Sequence, residues 1–313
     1  MRRVGGAAIV VRWFAPWYPN TEPGTYPIQM ETMNALPALT FYRAHGVFSD
    51  PGRHAAAIDA LPDDVGALAD VVRGLLIHSG WLHLYALTPD DVAMSRETLP
   101  VAQRLDAILS LQASPFSQAR PARWRAVGTC RDYALMLCAF LRQKAVPARV
   151  RCGYARYFKA GHNEDHWICE YWHAQDGRWA KADAQLDDVH RAHLSIRFDP
   201  IDLPEDQFIV AGDAWQRYRA GLVDAASYGH GTATGPWFMR VDLVRDLLSL
   251  GKQEVSAWDT WRAAPVDSHA IDTAAGTWCD SVAATLSNVD ENLPSIRQPP
   301  PAWAPYLQPF WHG

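Results

Sequence analysis

The stretch Gly128-Thr129-Cys130-Arg131-Asp132-Tyr133-Ala134-Leu135-Met136-Leu137-Cys138-Ala139-Phe140-Leu141 decides how the rest of this chain is read. Thr129 followed three residues later by Asp132 resembles a helix N-terminal capping box, with Asp in place of the more usual Glu or Gln. Ala134, Leu137, Cys138 and Leu141 then trace one apolar face, and Val146-Pro147 closes the element. Helix onset therefore falls at Cys130. Unpaired backbone N–H groups and the positive dipole end gather there, and both favour an anion such as a thiolate or an oxyanion.

Three strands are expected next: Ala148 to Phe158 with Val150, Cys152 and Tyr154 alternating, then the aromatic-rich His166 to His173, then Arg178 to Ala184. Asp176-Gly177 is a hairpin turn signal between the last two, which should be antiparallel neighbours. A loop of two or four residues pairs odd positions with even ones, so His166 and Asp183 share a face. The four-residue loop Ala174 to Gly177 is the expected one. It sets His166 against position 185 and makes Asp183 a diagonal neighbour within reach of a hydrogen bond. A thiol nucleophile needs a cation or helix N-terminus, a base, and a third group to orient the base. Cys130, His166 and Asp183 are the candidates.

The run Gly128 to Ala134, then Leu141-Arg142, Val146-Pro147-Ala148-Arg149 and Gly153-Tyr154, resembles the nucleophile block of the transglutaminase-like superfamily of papain-like cysteine enzymes. His166-Trp167 with Glu170, followed by Gly177-Arg178-Trp179 and Asp183, is similar to its His and Asp blocks in the same order. Leu61 to Val65, Glu164 to Trp167, Cys169 to Trp172 and Val210 to Trp215 look, more loosely, like a bacterial branch of unassigned substrate. The resemblance implies an α+β fold with a papain-like core, in which a nucleophile helix packs on a small antiparallel sheet with flanking helices. It also implies Cys130 as nucleophile, His166 as general base and acid, and Asp183 as orienter of the imidazole. The expected chemistry is acyl transfer on an amide or ester through a thioester. The alternatives are a peptidase, amidase or deamidase with the same triad, and a catalytically silent binding module. Peptides, proteins or small-molecule amides are the expected substrates. Ala184 replaces the Pro that many members carry after the aspartate, and no acidic cluster has calcium-loop spacing.

Outward from this block, Leu68, Val71, Val72 and Leu75 mark a helix within Pro51 to Ile77 that Gly80 should end, and Val101 to Gln112 forms a second, with Pro100 near its first turn. Ala211 to Ala220 and Val241 to Leu250 read as helical, Phe14 to Pro37 as irregular, and the prolines from Pro294 onward as a surface tail. The expected organisation is an irregular leader over 1–50, a helical part over 51–120, the catalytic core over 121–190, a helical part over 191–263 and a Pro-rich tail over 264–313.

Composition narrows the partners. The net charge of −5 comes without a Lys/Arg cluster, which argues against nucleic acid, and no apolar run is long enough to span a membrane, so a cytoplasmic protein is expected. Five cysteines without a CxxC pair fit neither a disulfide framework nor a zinc ribbon. His162 with His166, or His190 with His193, have metal-ligand spacing, but Gly161 and Asn163 place the first pair on a loop. No metal and no cofactor are expected. Trp124 is a candidate oxyanion donor through its indole N–H, and Trp124, Trp167 and Trp179 are candidate cleft walls.

Overall fold

The computed structural model describes residues 37–93, 100–254, 256 and 271–298. Helix α1 (Val65–Leu75) is capped by Asp64, whose side chain accepts from the Ala67 N–H, and passes directly into strand β1 (Leu76–His78). Helix α2 (Val101–Leu111) follows, with Pro100 as its N-cap. Strand β2 (Ala126–Gly128) then pairs parallel with β1 and places Gly128 beside His78. The expected helical stop at Gly80 is corrected here. Leu75, Leu76 and Ile77 are fully buried, and the ladder to β2 replaces helical hydrogen bonds five residues before Gly80.

Helix α3 (Cys130–Gln143) is joined by a short turn to β3 (Ala148–Ala155), which pairs antiparallel with β4 (Asn163–His173). Strand β5 (Arg178–Ala182) returns along β4 with His173 opposite Arg178, so the loop is Ala174 to Gly177 as expected. Beyond helix α4 (Asp188–His193) come β6 (Phe208–Val210), α5 (Ala211–Arg219), β7 (Tyr228–His230), β8 (Ala233–Thr234), α6 (Pro236–Leu250) and α7 (Thr273–Ser287). Strands β3 to β8 form one six-stranded sheet in the order β6-β3-β4-β7-β8, with β5 also on β4, apart from the β1-β2 pair. This is an α+β fold, with α3 packed on a small, largely antiparallel sheet.

Alternate residues of the sheet, Val150, Cys152, Trp167 and Cys169 among them, join Leu137, Cys138 and Leu141 of α3 in the main core. The residues between them make a buried ionic layer. Glu170 lies 2.7 Å from Arg149 and 3.1 Å from Arg151, and Arg151 also pairs with Asp246 of α6 at 2.8 Å. Gly153 is required where β3 meets β6, because a Cβ there would lie 2.3 Å from the Ile209 carbonyl oxygen.

Residues 37–43, within the expected leader, are helical. Within the expected tail, α7 packs on α5 and α6, and Pro294 sits in the first turn of a short helix (Leu293–Ile296), a position that lacks a hydrogen-bond partner for an N–H anyway. The rest of the leader and the prolines from Pro299 onward lie outside the described residues. No helix among the described residues is long and apolar enough to cross a membrane.

Candidate active site

The second edge of β4 is covered by β5 from Cys169 to His173 and by β7 at Asn163 and Glu164. Between them, Asp165 to Ile168 pair with β3 alone, and the N-terminus of α3 reaches this opening. Cys130 is the first residue of α3. The Thr129 N–H donates to Asp132 Oδ2 at 2.8 Å, and the Asp132 N–H donates to the Thr129 carbonyl at 2.9 Å. Arg104 and Arg131 each lie 3.1 Å from Asp132 Oδ1, which fixes the carboxylate that caps the helix. Gly128 permits this close packing, since a Cβ there would lie 2.9 Å from Asp132 Oδ2. Among the described residues the Cys130 N–H has no hydrogen-bond partner.

His166 Nε2 lies 2.8 Å from Asp183 Oδ2, and both side chains are almost wholly buried. Tyr157 donates its hydroxyl to the same oxygen at 2.6 Å, and the Gln185 N–H donates to Oδ1 at 2.8 Å. Burial works to raise the Asp183 carboxyl, but the charge of His166 and these hydrogen bonds outweigh it and hold it below the usual range. For His166, burial opposes the cation, yet Asp183 and Cys130 lift the imidazole to about 10. Burial pushes the Cys130 thiol up, while the His166 ring and the Trp167 backbone N–H, both facing the sulfur, pull it back. The thiol stays above its usual range on balance, and the His166 imidazolium, itself paired with Asp183, is placed to stabilise the thiolate when it forms.

Cys130 and His166 open into one cleft of about 450 Å³, walled by Trp81 and Phe158 and edged by His78, Gln185 and Glu164. Phe158 meets the His166 ring edge-on at 4.8 Å, and Trp81 stacks on Phe158 at 5.7 Å. Expectations about three tryptophans are corrected. Trp124 is 47% exposed on a short 3₁₀ turn and does not line the cleft. Trp167 points into the core behind β4, because alternate residues of a strand face opposite sides and its neighbour His166 faces the site. Trp179 lies under Arg149, 3.9 Å from the guanidinium, and is likewise away from the cleft.

The metal-like spacings are used otherwise. His162 pairs with Glu164, His166 with Asp183, and His190 with Asp187. Cys152, Asp165 and Asp242 bring ligand atoms within 4.8 Å of one another, but the Arg245 guanidinium lies 2.9 Å from both carboxylates and supplies the cation.

Residues 109–184 match the transglutaminase-like superfamily. That segment is transglutaminase-like in sequence. The matched segment runs from the end of α2 through the nucleophile helix and the hairpin, and contains Cys130, His166 and Asp183. The chain is also similar to a candidate cysteine protease of known structure from Cytophaga hutchinsonii, at 16% identity and a TM-score of 0.34, over 59% of this chain and 48% of that one. The similarity thus spans about half the length of that protein. No curated protein matches the chain. A transglutaminase-like core supports cysteine-based catalysis. Sequence reasoning missed Tyr157, Arg104 and the wall residue Trp81. Tyr157 lies just past the alternating part of β3, and the other two are brought in from elements distant in sequence.

Proposed function

We propose that the protein catalyses acyl transfer from an amide or ester through a thioester on Cys130. The observation that carries this reading is the order Asp183–His166–Cys130 at the opening of β4, with the sulfur on the first residue of α3. The thiolate attacks the substrate carbonyl, and the carbonyl π pair moves onto oxygen beside the unpartnered Cys130 N–H. The imidazolium gives its proton to the leaving amine or alcohol as the thioester forms. An incoming nucleophile then loses its proton to His166 and displaces the thiolate.

An amine is the preferred acceptor in this reading. The apolar wall of Trp81 and Phe158 beside His166 shields a thioester from water, which favours transfer over hydrolysis. The second reading, amide hydrolysis, is supported by the polar edge of the same cleft, where Lys159, Glu164 and His230 would hold water. Acylation with 4-nitrophenyl acetate followed by labelled glycine methyl ester separates the two. Transfer requires an amide product and faster thioester breakdown at saturating amine. If neither product nor rate changes, the protein is a hydrolase.

A further inference from the structure

We propose that His78 is the second oxyanion donor, presenting Nε2–H to the carbonyl oxygen of a substrate under attack by Cys130. The assignment rests on the thioester reading above. Its basis is position first. The parallel ladder of β1 and β2 sets His78 opposite Gly128, two residues before Cys130, and His78 lines the same cleft as Cys130 and His166. The Ser79 N–H donates to the Gly128 carbonyl at 3.0 Å, which locks the end of β1 against the loop that leads into α3.

The second element is the tautomer. The Gly80 N–H donates to His78 Nδ1 at 3.0 Å, so Nδ1 is an acceptor and the ring proton resides on Nε2. Among the described residues Nε2 has no hydrogen-bond partner. His78 is thus a neutral donor with Nδ1 occupied, and its side chain lines the cleft. Burial, and then the nearby charge of His166, lower its basicity to about 3, so it stays neutral beside the His166 cation at working pH. A neutral imidazole held in this way can polarise a carbonyl without taking part in proton transfer.

In the step itself, the Cys130 sulfur bonds to the carbonyl carbon and the π pair moves onto oxygen. The Cys130 N–H and His78 Nε2–H hydrogen-bond that oxygen until the pair returns and expels the leaving group, which carries the His166 proton. Trp124, the donor expected from sequence, lies outside the cleft, whereas Trp81 is inside it and is the rival to be tested.

The experiment compares two reactions of Cys130 in the full chain. Acylation by 4-nitrophenyl acetate forms an oxyanion, and alkylation by iodoacetamide does not. His78→Phe should slow acylation about 100-fold, the low end of what loss of one oxyanion donor costs, and leave alkylation within twofold. His78→Gln, which keeps an N–H, should recover at least part of that loss, and Trp81→Phe, which keeps an aromatic wall without the indole N–H, should change acylation and alkylation by the same factor. The assignment is overturned if His78→Phe acylates normally, if alkylation falls in parallel, if His78→Gln recovers nothing, or if Trp81→Phe shows the selective loss instead. Should wild-type Cys130 alkylate but never acylate, the thioester reading falls and takes this assignment with it.

Discussion

His166 commits Nε2 to Asp183, 2.8 Å from Oδ2, and this contact decides which ring nitrogen serves the thiol. Nδ1 is left to face Cys130. The aspartate has its own partners, Tyr157 on Oδ2 and the Gln185 amide on Oδ1, so it cannot turn away without breaking hydrogen bonds in a buried site. The imidazole is therefore oriented by a group that is itself oriented.

Cys130 is the thiol we propose as reactive. It is partly exposed, whereas Cys138, Cys152, Cys169 and Cys279 are fully buried. Limited iodoacetamide labelling of the folded protein at neutral pH, read by peptide mass spectrometry, should modify Cys130 at least about tenfold faster than any other cysteine. Faster labelling of Cys138 or Cys152 would mean that the nucleophile is misassigned.

Asp183→Asn should lower the rate of acylation by about 100-fold or more, because it removes the charge that supports imidazolium. Asp187→Asn should leave the rate almost unchanged. Asp187 caps α4 and bonds Tyr85, His190 and the His190 N–H, and Asn caps a helix nearly as well as Asp. Equal effects of the two substitutions on 4-nitrophenyl acetate kinetics would contradict the triad.

The pH dependence of stability follows from the same pair. The folded-state value of His166, about 10, lies above its ordinary 6.5, so its stabilisation is complete below about pH 6.5 and is lost as pH rises through about 10. Asp183 is shifted the other way. Its contribution is present above the ordinary carboxylate range and is lost as pH falls through its lowered value. Urea unfolding at pH 7 and pH 10 should show a loss in the wild type that shrinks in Asp183→Asn, where burial alone acts on the imidazole. An identical loss in both proteins would show that this pair is not its source.

Glu170→Ala tests the ionic layer behind the sheet. It would leave Arg149 and Arg151 buried with Asp290 and Asp246 as their remaining carboxylate partners. The expected cost is about 3 kcal/mol, the lower end for a broken buried pair, or a fall in Tm of about 6–12 °C. A thermal melt within about 1 °C of the wild type would show that the network carries no net stability.

Tyr157→Phe removes one of three donors to the Asp183 carboxylate while keeping the ring, which packs near His166 at 6.1 Å. Acylation should fall by no more than about tenfold, since the hydrogen bond, worth about 1.5–3 kcal/mol in all, is made both before and during the reaction and only part of it is lost from the barrier. A fall as large as that of Asp183→Asn would make Tyr157 an equal member of the site.

The local code of this chain was legible wherever neighbouring residues settle the outcome. Thr129 and Asp132 specify a helix start at Cys130, the Ala174 to Gly177 loop specifies the hairpin register, and that register places His166 and Asp183 on one face. These features depend on hydrogen bonds and periodicities that span a few residues. What the sequence alone could not decide depends on long-range pairing. Leu76 to His78 continues a helical pattern in one dimension, and only its burial against β2, fifty residues later, turns it into a strand that delivers His78 to Gly128. Arg104 reaches Asp132, and Trp81 reaches Phe158, for the same reason. Trp124, Trp167 and Trp179 lie away from the cleft because nearness in sequence to Cys130 or His166 says nothing about which side of a turn or strand faces it. Sequence determined the triad and its order; tertiary packing decided what surrounds it, because the contacts that wall a cleft come from segments whose separation along the chain carries no periodic signal.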